Sequence, residues 1–164
     1  SIVTYLMERE GISPQDFDHI LNKKSGAWGV SGVSEDYRDI EEAYNMNDAR
    51  SVLALDSQAY KVAQYIGQYM ITLGGLDILT FTGGVGENRF ETRERICKYL
   101  EFLGIKLDPE ANIVRGEEKL ISTVDSKIKV YVVPTNEELM IAEDTKRIIE
   151  NIPSDSKFGI YSQF

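Results

Sequence analysis

Two short apolar segments in this sequence are each followed at once by a turn and the start of a helix. The run 76–81 predicts a β-strand that leads into the glycine-rich turn 83–86, and the run 129–133 predicts a strand that leads into Thr135. Strands that alternate with helices form α/β sheets. Their ligands bind outside the carboxyl ends of the strands, where helix N-termini offer free N–H groups. Two such ends indicate a nucleotide or a phosphorylated ligand.

Helical periodicity predicts the elements around these strands. Apolar residues from Val52 to Leu73 recur every three or four positions, which indicates an amphipathic helix that ends at Gly74–Gly75. A further strand is predicted at 120–124, and the segment 25–32, with three glycines, is predicted to be a loop. Other helices are expected in the first ten residues and at four start signals, which are Ser13–Pro14, Ser34, Asn88 with Glu91, and Thr135 with Glu138 as a capping box.

Length and composition exclude several classes of protein. A chain of 164 residues that is 42% hydrophobic and 27% charged has the size and composition of one soluble globular domain. A formal net charge of −9 and a pI near 4.7 argue against a general nucleic-acid binder or a protein of anionic membranes, which both need a basic surface. The apolar runs are too short to span a bilayer, and the first residues lack the charged start of a signal peptide. A cytoplasmic location is therefore expected.

The metal and redox chemistry available to the sequence is limited. Cys97 is the only cysteine, so no internal disulfide can form, and its place in a helical pattern predicts a core thiol. His19, the only histidine, is expected on the surface of a helix. The chain begins without methionine inside an amphipathic pattern, which indicates a piece of a longer protein.

Three collinear segments resemble the acetate kinase family, which belongs to the superfamily of sugar kinases, Hsp70 and actin. They are SGAWGVSGVSEDYRDI at 25–40, FTGGVGENRFETR at 81–93 and PTNEELMIAEDT at 134–145. The resemblance implies an RNase H-like (actin-like ATPase) α/β domain with a central mixed sheet flanked by helices. It covers only the C-terminal part of such an enzyme. Residues 1–152 are thus expected to form its C-terminal nucleotide-binding lobe, and 153–164 a C-terminal tail.

Asp36, Tyr37 and Arg38 match the family's nucleotide-contacting Asp-x-Arg segment, which implies a role in binding adenine nucleotide. A planar guanidinium can stack on a base or form paired hydrogen bonds to phosphate or ribose oxygens, and a nearby aspartate can hold it in orientation. The alternative is a local ion pair on the surface at the start of a helix.

Gly84, Val85, Gly86, Glu87 and Asn88 match the family's adenosine-binding loop. Glycine lets a backbone approach a ligand because no Cβ intervenes, and an asparagine side chain can both donate and accept hydrogen bonds. The alternative is a tight turn between strand and helix, with Asn88 acting only as a helix cap.

Glu137 matches the glutamate that helps the family to hold the Mg²⁺ ion that bridges the nucleotide phosphates. Magnesium prefers carboxylate and water oxygens, and one or two protein carboxylates are usual. The alternative is a solvated glutamate that the helix dipole favours in the first turn. The implied cofactors are therefore ATP or ADP and Mg²⁺.

The resemblance implies reversible transfer of the γ-phosphoryl group of ATP to acetate, giving acetyl phosphate and ADP. The family's catalytic residues and acetate pocket would lie upstream, so no catalytic residue is assigned here and the chain alone is expected to be inactive. Two alternatives stay open: a catalytically silent module for subunit association, or the same lobe of a propionate kinase. Because the family dimerises through this lobe, the helix 52–73 is expected to contribute to a homodimer.

Overall fold

The structure, a computed structural model, describes residues 2–150, in which helices surround a small mixed sheet. The predicted tail 153–164 lies outside these residues. The elements are α1 (Ile2–Glu10), α2 (Pro14–Lys23), α3 (Gly26–Ser31), α4 (Tyr37–Asn45), α5 (Ala49–Leu73), β1 (Ile78–Phe81), α6 (Gly83–Asn88), α7 (Phe90–Lys98), the 3₁₀ turns Glu101–Leu103 and Ala111–Ile113, β2 (Lys119–Leu120), β3 (Lys129–Val132) and α8 (Glu137–Ile149).

The sheet has the strand order β1-β3-β2. β1 and β3 are parallel, with Ile78 opposite Lys129 and Phe81 opposite Val132, and β2 is antiparallel to β3. The amide of Val133 continues the pairing by donating to the Phe81 carbonyl at 2.9 Å. The two predicted junctions between strand and helix therefore lie side by side at one edge of a mixed sheet.

Two hydrophobic clusters stabilise this arrangement, and α5 contributes to both. The first half of α5 packs on α4 through Ala54, Leu55 and Ile40. The second half packs on the sheet and α7 through a larger cluster, which comprises Ala59, Ala63, Phe81, Ile96, Cys97, Leu100, Ile105, Ile121, Ile128, Val130 and Val132. The predicted position of Cys97 in the core is confirmed, and burial raises the pKa of its thiol to about 12. His19 is exposed, as expected.

Several predicted helix ends are confirmed. The Ser13 hydroxyl accepts a hydrogen bond from the amide of Asp16, and Pro14 begins α2. The predicted end of α5 at Gly74 is also confirmed, and the φ of this glycine, 76°, lies in the left-handed region. At the other end, the Asp48 carboxylate caps α5 by accepting from the amide of Ser51, a contact that the sequence analysis did not predict.

The predictions of a loop at 25–32 and a turn at 83–86 were wrong, because both segments contain short helices, α3 and α6. α3 is stabilised at its C-terminal end by Arg50, whose Nε donates to the Val30 carbonyl at 2.9 Å and whose Nη2 donates to the Gly29 carbonyl at 3.0 Å. These bonds satisfy carbonyl groups that a helix end leaves without a partner.

Three predicted helix caps were also wrong. Asp36 rather than Ser34 caps α4, and Asn136 rather than Thr135 caps α8 by accepting from the Leu139 amide at 3.0 Å. Asn88 ends α6 and caps nothing downstream, since its side-chain amide donates back to the Gly84 carbonyl at 3.0 Å. Within residues 2–150 no helix is long and apolar enough to cross a membrane.

Candidate functional site

One cavity of about 360 Å³ brings together the first two predicted site segments. Asp36, Tyr37 and Arg38 form one wall at the start of α4, and Gly84 and Val85 form the facing wall in α6. The remaining lining residues are Glu35, Glu41, Arg89 and Thr92. These segments are about fifty residues apart in sequence, and they meet because α4 and the β1–α6 junction both pack near α5 and α7.

The wall at α4 has an ordered guanidinium. The Asp36 carboxylate caps α4 by accepting from the Arg38 amide at 2.9 Å, and it also accepts from Arg38 Nε at 3.0 Å. These hydrogen bonds from Arg38 lower the pKa of Asp36 to about 2. The Arg38 side chain nevertheless remains 76% exposed. The local ion pair that the sequence analysis gave as the alternative is therefore present, and Arg38 also lines the cavity with a largely exposed side chain.

The wall at α6 is built from glycines with different tasks. Gly83 has a φ of 72° where the chain turns from β1 into α6, a conformation that side chains rarely adopt. A Cβ on Gly86 would lie 3.3 Å from the Phe81 carbonyl carbon, so this glycine lets α6 pack on the strand end. A Cβ on Gly84 would meet nothing within 4 Å. Gly84 therefore presents open backbone to the cavity, beside the half-exposed Val85.

Glu87 lies behind this wall and does not line the cavity. Its side chain is buried, and one carboxylate oxygen, Oε1, accepts three hydrogen bonds. The donors are the Gly83 amide at 2.8 Å, the Thr135 amide at 2.8 Å and the Thr135 hydroxyl at 2.9 Å. The hydrogen bonds from Thr135 hold the pKa of Glu87 below its ordinary value. Glu87 thus connects the β1–α6 junction to the residues before α8.

Glu137 is the first residue of α8 and is exposed. Its carboxylate makes no hydrogen bond or ion pair with other residues of 2–150. This part of the chain also contains no group of three or more His, Cys, Asp and Glu residues that could hold a metal ion. A single free carboxylate fits Mg²⁺, which commonly takes one or two protein ligands and fills its other positions with water and phosphate oxygens.

The sequence predictions missed four residues of the cavity wall, which are Glu35, Glu41, Arg89 and Thr92. Glu41 forms an ion pair with Arg89 that ties α4 to the start of α7, with side chains 16% and 32% exposed, respectively. Thr92 is 8% exposed, and its hydroxyl has no hydrogen-bond partner within the described part of the chain. The spacing of Thr92 from Ile96 places it on the buried face of α7, and this periodicity was the available signal.

Arg93, which the sequence predictions also missed, holds the C-terminal end of α6 in place. It is completely buried, and burial lowers the pKa of its guanidinium. All of its five hydrogen bonds go to uncharged oxygens, which are the carbonyls of Gly86, Glu87, Asn112 and Val114 and the side-chain oxygen of Asn112. The guanidinium therefore joins the C-terminal end of α6 to the 3₁₀ turn Ala111–Ile113.

Comparison with known proteins identifies the family. The model of the acetokinase family matches residues 1–143. The chain belongs to this family. It is 56% identical over 153 residues to the acetate kinase of Thermoanaerobacterium thermosaccharolyticum, a match that covers 93% of this chain and 38% of the relative. The chain thus spans about two fifths of the length of the curated relatives it matches.

Solved structures of the family share the fold. The structure is similar to that of Porphyromonas gingivalis acetate kinase, with a TM-score of 0.82 and 48% identity over 90% of this chain and 37% of that one. It is also similar to a propionate kinase from Francisella tularensis, with a TM-score of 0.79 and 35% identity over 87% of this chain and 36% of that one. The expected actin-like ATPase fold, a mixed sheet flanked by helices, is confirmed.

Proposed function

We propose that residues 1–152 form the nucleotide-binding lobe of an acetate kinase, which transfers the γ-phosphoryl group of ATP reversibly to acetate and yields acetyl phosphate and ADP. The observation that carries this proposal is the cavity between Asp36–Arg38 and Gly84–Val85, in a chain 56% identical to an acetate kinase. We favour acetate over propionate as the substrate because the curated relatives at 56% identity are acetate kinases. A cytoplasmic location fits an enzyme that uses ATP.

In this proposal the cavity binds the adenosine part of ATP or ADP. The open backbone at Gly84 allows the base or ribose to approach closely, and Val85 offers an apolar contact. Arg38 stacks on the base or binds phosphate or ribose oxygens with the face that Asp36 leaves free. Because Asp36 already orders the guanidinium, less conformational entropy is lost when the nucleotide binds.

The remaining predicted residues act behind this surface or beside it. Gly86, Glu87 and Asn88 hold α6 in place through the packing and hydrogen bonds described above. Glu137 helps to hold Mg²⁺, which when bound neutralises charge on the nucleotide phosphates. Phosphoryl transfer depends on positioning and charge stabilisation, so the acetate site and the cationic groups around the transferred phosphoryl must come from other parts of a family-length protein.

A second role, association of two copies, is favoured by one exposed surface. Tyr60 and Ile71 lie on the same face of α5 and are 51% and 85% exposed, respectively. A nearby apolar cavity of about 370 Å³ lies between α5 and Phe102. Tyrosines and large aliphatic residues are typical of interface cores, so this surface supports the expected homodimer. This role is compatible with nucleotide binding, because the apolar cavity and the nucleotide cavity share no lining residue.

Calorimetric titration of the chain with MgADP tests the nucleotide site. We expect Gly84→Val to weaken binding at least about tenfold, since its branched side chain would occupy the space left for the ligand. The control is Gly67→Val, which places the same side chain at another helical glycine with no neighbour within 4 Å, outside the nucleotide cavity. Because Gly67 lines the apolar cavity beside Phe102, this variant also reports whether altered association of two copies affects nucleotide binding. Equal binding by the two variants would exclude Gly84 from the site.

Acetate kinase activity is tested in the family-length protein that contains this chain, by trapping acetyl phosphate as the hydroxamate. We expect product only with acetate, ATP and Mg²⁺ together, and none from the 164-residue chain alone. Faster turnover with propionate would favour the propionate kinase alternative. Acetyl phosphate formation by the chain alone would show that its own residues include the catalytic groups.

A further inference from the structure

Glu87 is the contact between two segments to which the proposed function gives different ligands. The segment of α6 faces the nucleotide, and the start of α8 carries Glu137 toward the metal. Because β1 and β3 are parallel neighbours, both segments leave the sheet at the same edge. Across this edge, Oε1 of Glu87 accepts from Thr135, which is 48 positions further along the chain and two residues before Glu137.

We propose that Glu87 is a positioning residue that fixes the start of α8, and with it Glu137, relative to the nucleotide wall in α6. This inference rests on the proposed function. It assigns Glu87 no contact with nucleotide or metal, since Glu87 is only 9% exposed, does not line the nucleotide cavity and already shares one carboxylate oxygen among three donors.

The α6 end of this connection is rigid. The Glu87 side chain accepts from the Gly83 amide at the start of α6, and the Glu87 carbonyl accepts from the buried guanidinium of Arg93 at 3.0 Å. The same guanidinium holds the Gly86 carbonyl at 2.8 Å. Glu87 is therefore held at both its backbone and its side chain, so its carboxylate has a defined position relative to α6.

The α8 end depends on this connection. No described residue of α8 is buried, and the Glu137 side chain has no partner among residues 2–150, so packing does little to fix this helix. The hydrogen bonds from the Thr135 amide and hydroxyl to Glu87 are the side-chain contacts that hold the approach to α8. Hydrogen bonds to an ionised carboxylate are stronger than those to a neutral amide oxygen, so glutamine cannot fully replace Glu87.

The first test uses hydrogen exchange in the 164-residue chain. We expect Glu87→Gln to speed amide exchange in the peptides that contain Gly83 and Thr135, by about tenfold, the equivalent of one charge-assisted hydrogen bond. Glu94→Gln is the matched control, since Glu94 is exposed and lies in the neighbouring α7. Unchanged exchange in the Glu87 variant would overturn the inference without bearing on nucleotide binding or activity.

The second test uses the family-length kinase. We expect Glu87→Gln to raise the Mg²⁺ concentration for half-maximal activity about tenfold, while metal-free ADP affinity, measured by calorimetry, changes less than about twofold. Thr135→Val removes only the hydroxyl donor and should give a smaller rise in the same direction. If the Glu87→Gln variant does not fold, the Thr135→Val variant provides the test by itself.

A double-mutant cycle separates positioning from a general structural role. If Glu87 acts through Glu137, then Glu87→Gln should add nothing to the Mg²⁺ requirement of a Glu137→Ala variant. An equal rise in both backgrounds would overturn the inference, and so would an equal loss of metal-free ADP affinity. If the parent kinase needs no Mg²⁺ or does not bind ADP, the proposed function fails, and the exchange experiment still reports whether Glu87 joins the two segments.

Discussion

Replacing Arg93 with methionine should destabilise the chain severely, although Arg93 does not line the nucleotide cavity. The side chain is completely buried, and its guanidinium donates five hydrogen bonds. Methionine fills much of the same volume and can make none of these bonds. The carbonyls of Gly86 and Glu87 would lose the donor that now satisfies them, as would those of Asn112 and Val114.

The magnitude follows from the acceptors left behind. A buried acceptor without a partner costs about 1–3 kcal/mol of stability. Water molecules or small movements of neighbouring groups can supply a donor to the acceptors that lie nearest the surface. If two of the five remain unsatisfied, the loss is about 4 kcal/mol, a large part of the usual stability of a domain. With a urea m-value of about 2 kcal/mol/M, the unfolding midpoint should fall by about 2 M.

Urea unfolding followed by circular dichroism measures this loss. Arg95→Met is the matched control on the same helix, because Arg95 stacks on the Tyr44 ring at 4.4 Å and its buried Nη1 has no hydrogen-bond partner. We expect it to cost about 1 kcal/mol or less. If Arg93→Met does not fold, Arg93→Lys should give an intermediate loss, since three donors on one atom cannot reach all the acceptors. A loss below about 1 kcal/mol in either Arg93 variant would refute the reasoning.

Three further predictions concern single residues. The pKa of Asp36 is about 2 in the folded state against an ordinary 3.8, so its stabilising contribution is present above about pH 4 and is lost as the pH falls toward 2. The difference in unfolding free energy between the parent and Asp36→Asn should therefore vanish across that range. Thr92→Val should weaken MgADP binding about threefold to tenfold by calorimetry, and Thr92→Ser should restore it, because the unpaired hydroxyl is available to the ligand. Ile71→Lys should shift sedimentation toward the monomer with unchanged unfolding, and an unaltered dimer would place the interface elsewhere.

The sequence predicted elements that are stabilised locally. α5 was recognisable because its apolar residues repeat from Val52 to Leu73, and the start of α2 was recognisable from Ser13 and Pro14. The two junctions between strand and helix were predicted from the pattern, whereas their side-by-side arrangement is shown by the parallel pairing of β1 and β3. The grouping of Asp36–Arg38 with Gly84–Val85, by contrast, was expected only from the family resemblance.

The errors arose where distant residues decide local structure. α3 has three glycines within 25–32, and it is held by Arg50, which lies some twenty residues away. Thr135 has a suitable capping partner, Glu138, three residues later, but its hydroxyl donates instead to Glu87, which lies 48 positions upstream. Periodicity in a single chain segment cannot reveal such contacts. Arg93 was missed for the same reason, because an arginine in a helix is usually solvated.

Because α5 contributes to both hydrophobic clusters, its geometry sets the distance between the two walls of the nucleotide cavity. Asp36–Arg38 rests on its first half, through Ile40, and α6 rests on the cluster of its second half, through Phe81. A kink of about 20° between Leu55 and Ala59, acting over a lever of about 15 Å, would displace one wall by about 5 Å. α5 contains no proline, and it does not line the nucleotide cavity, so the distance between the two walls depends on a helix outside the cavity.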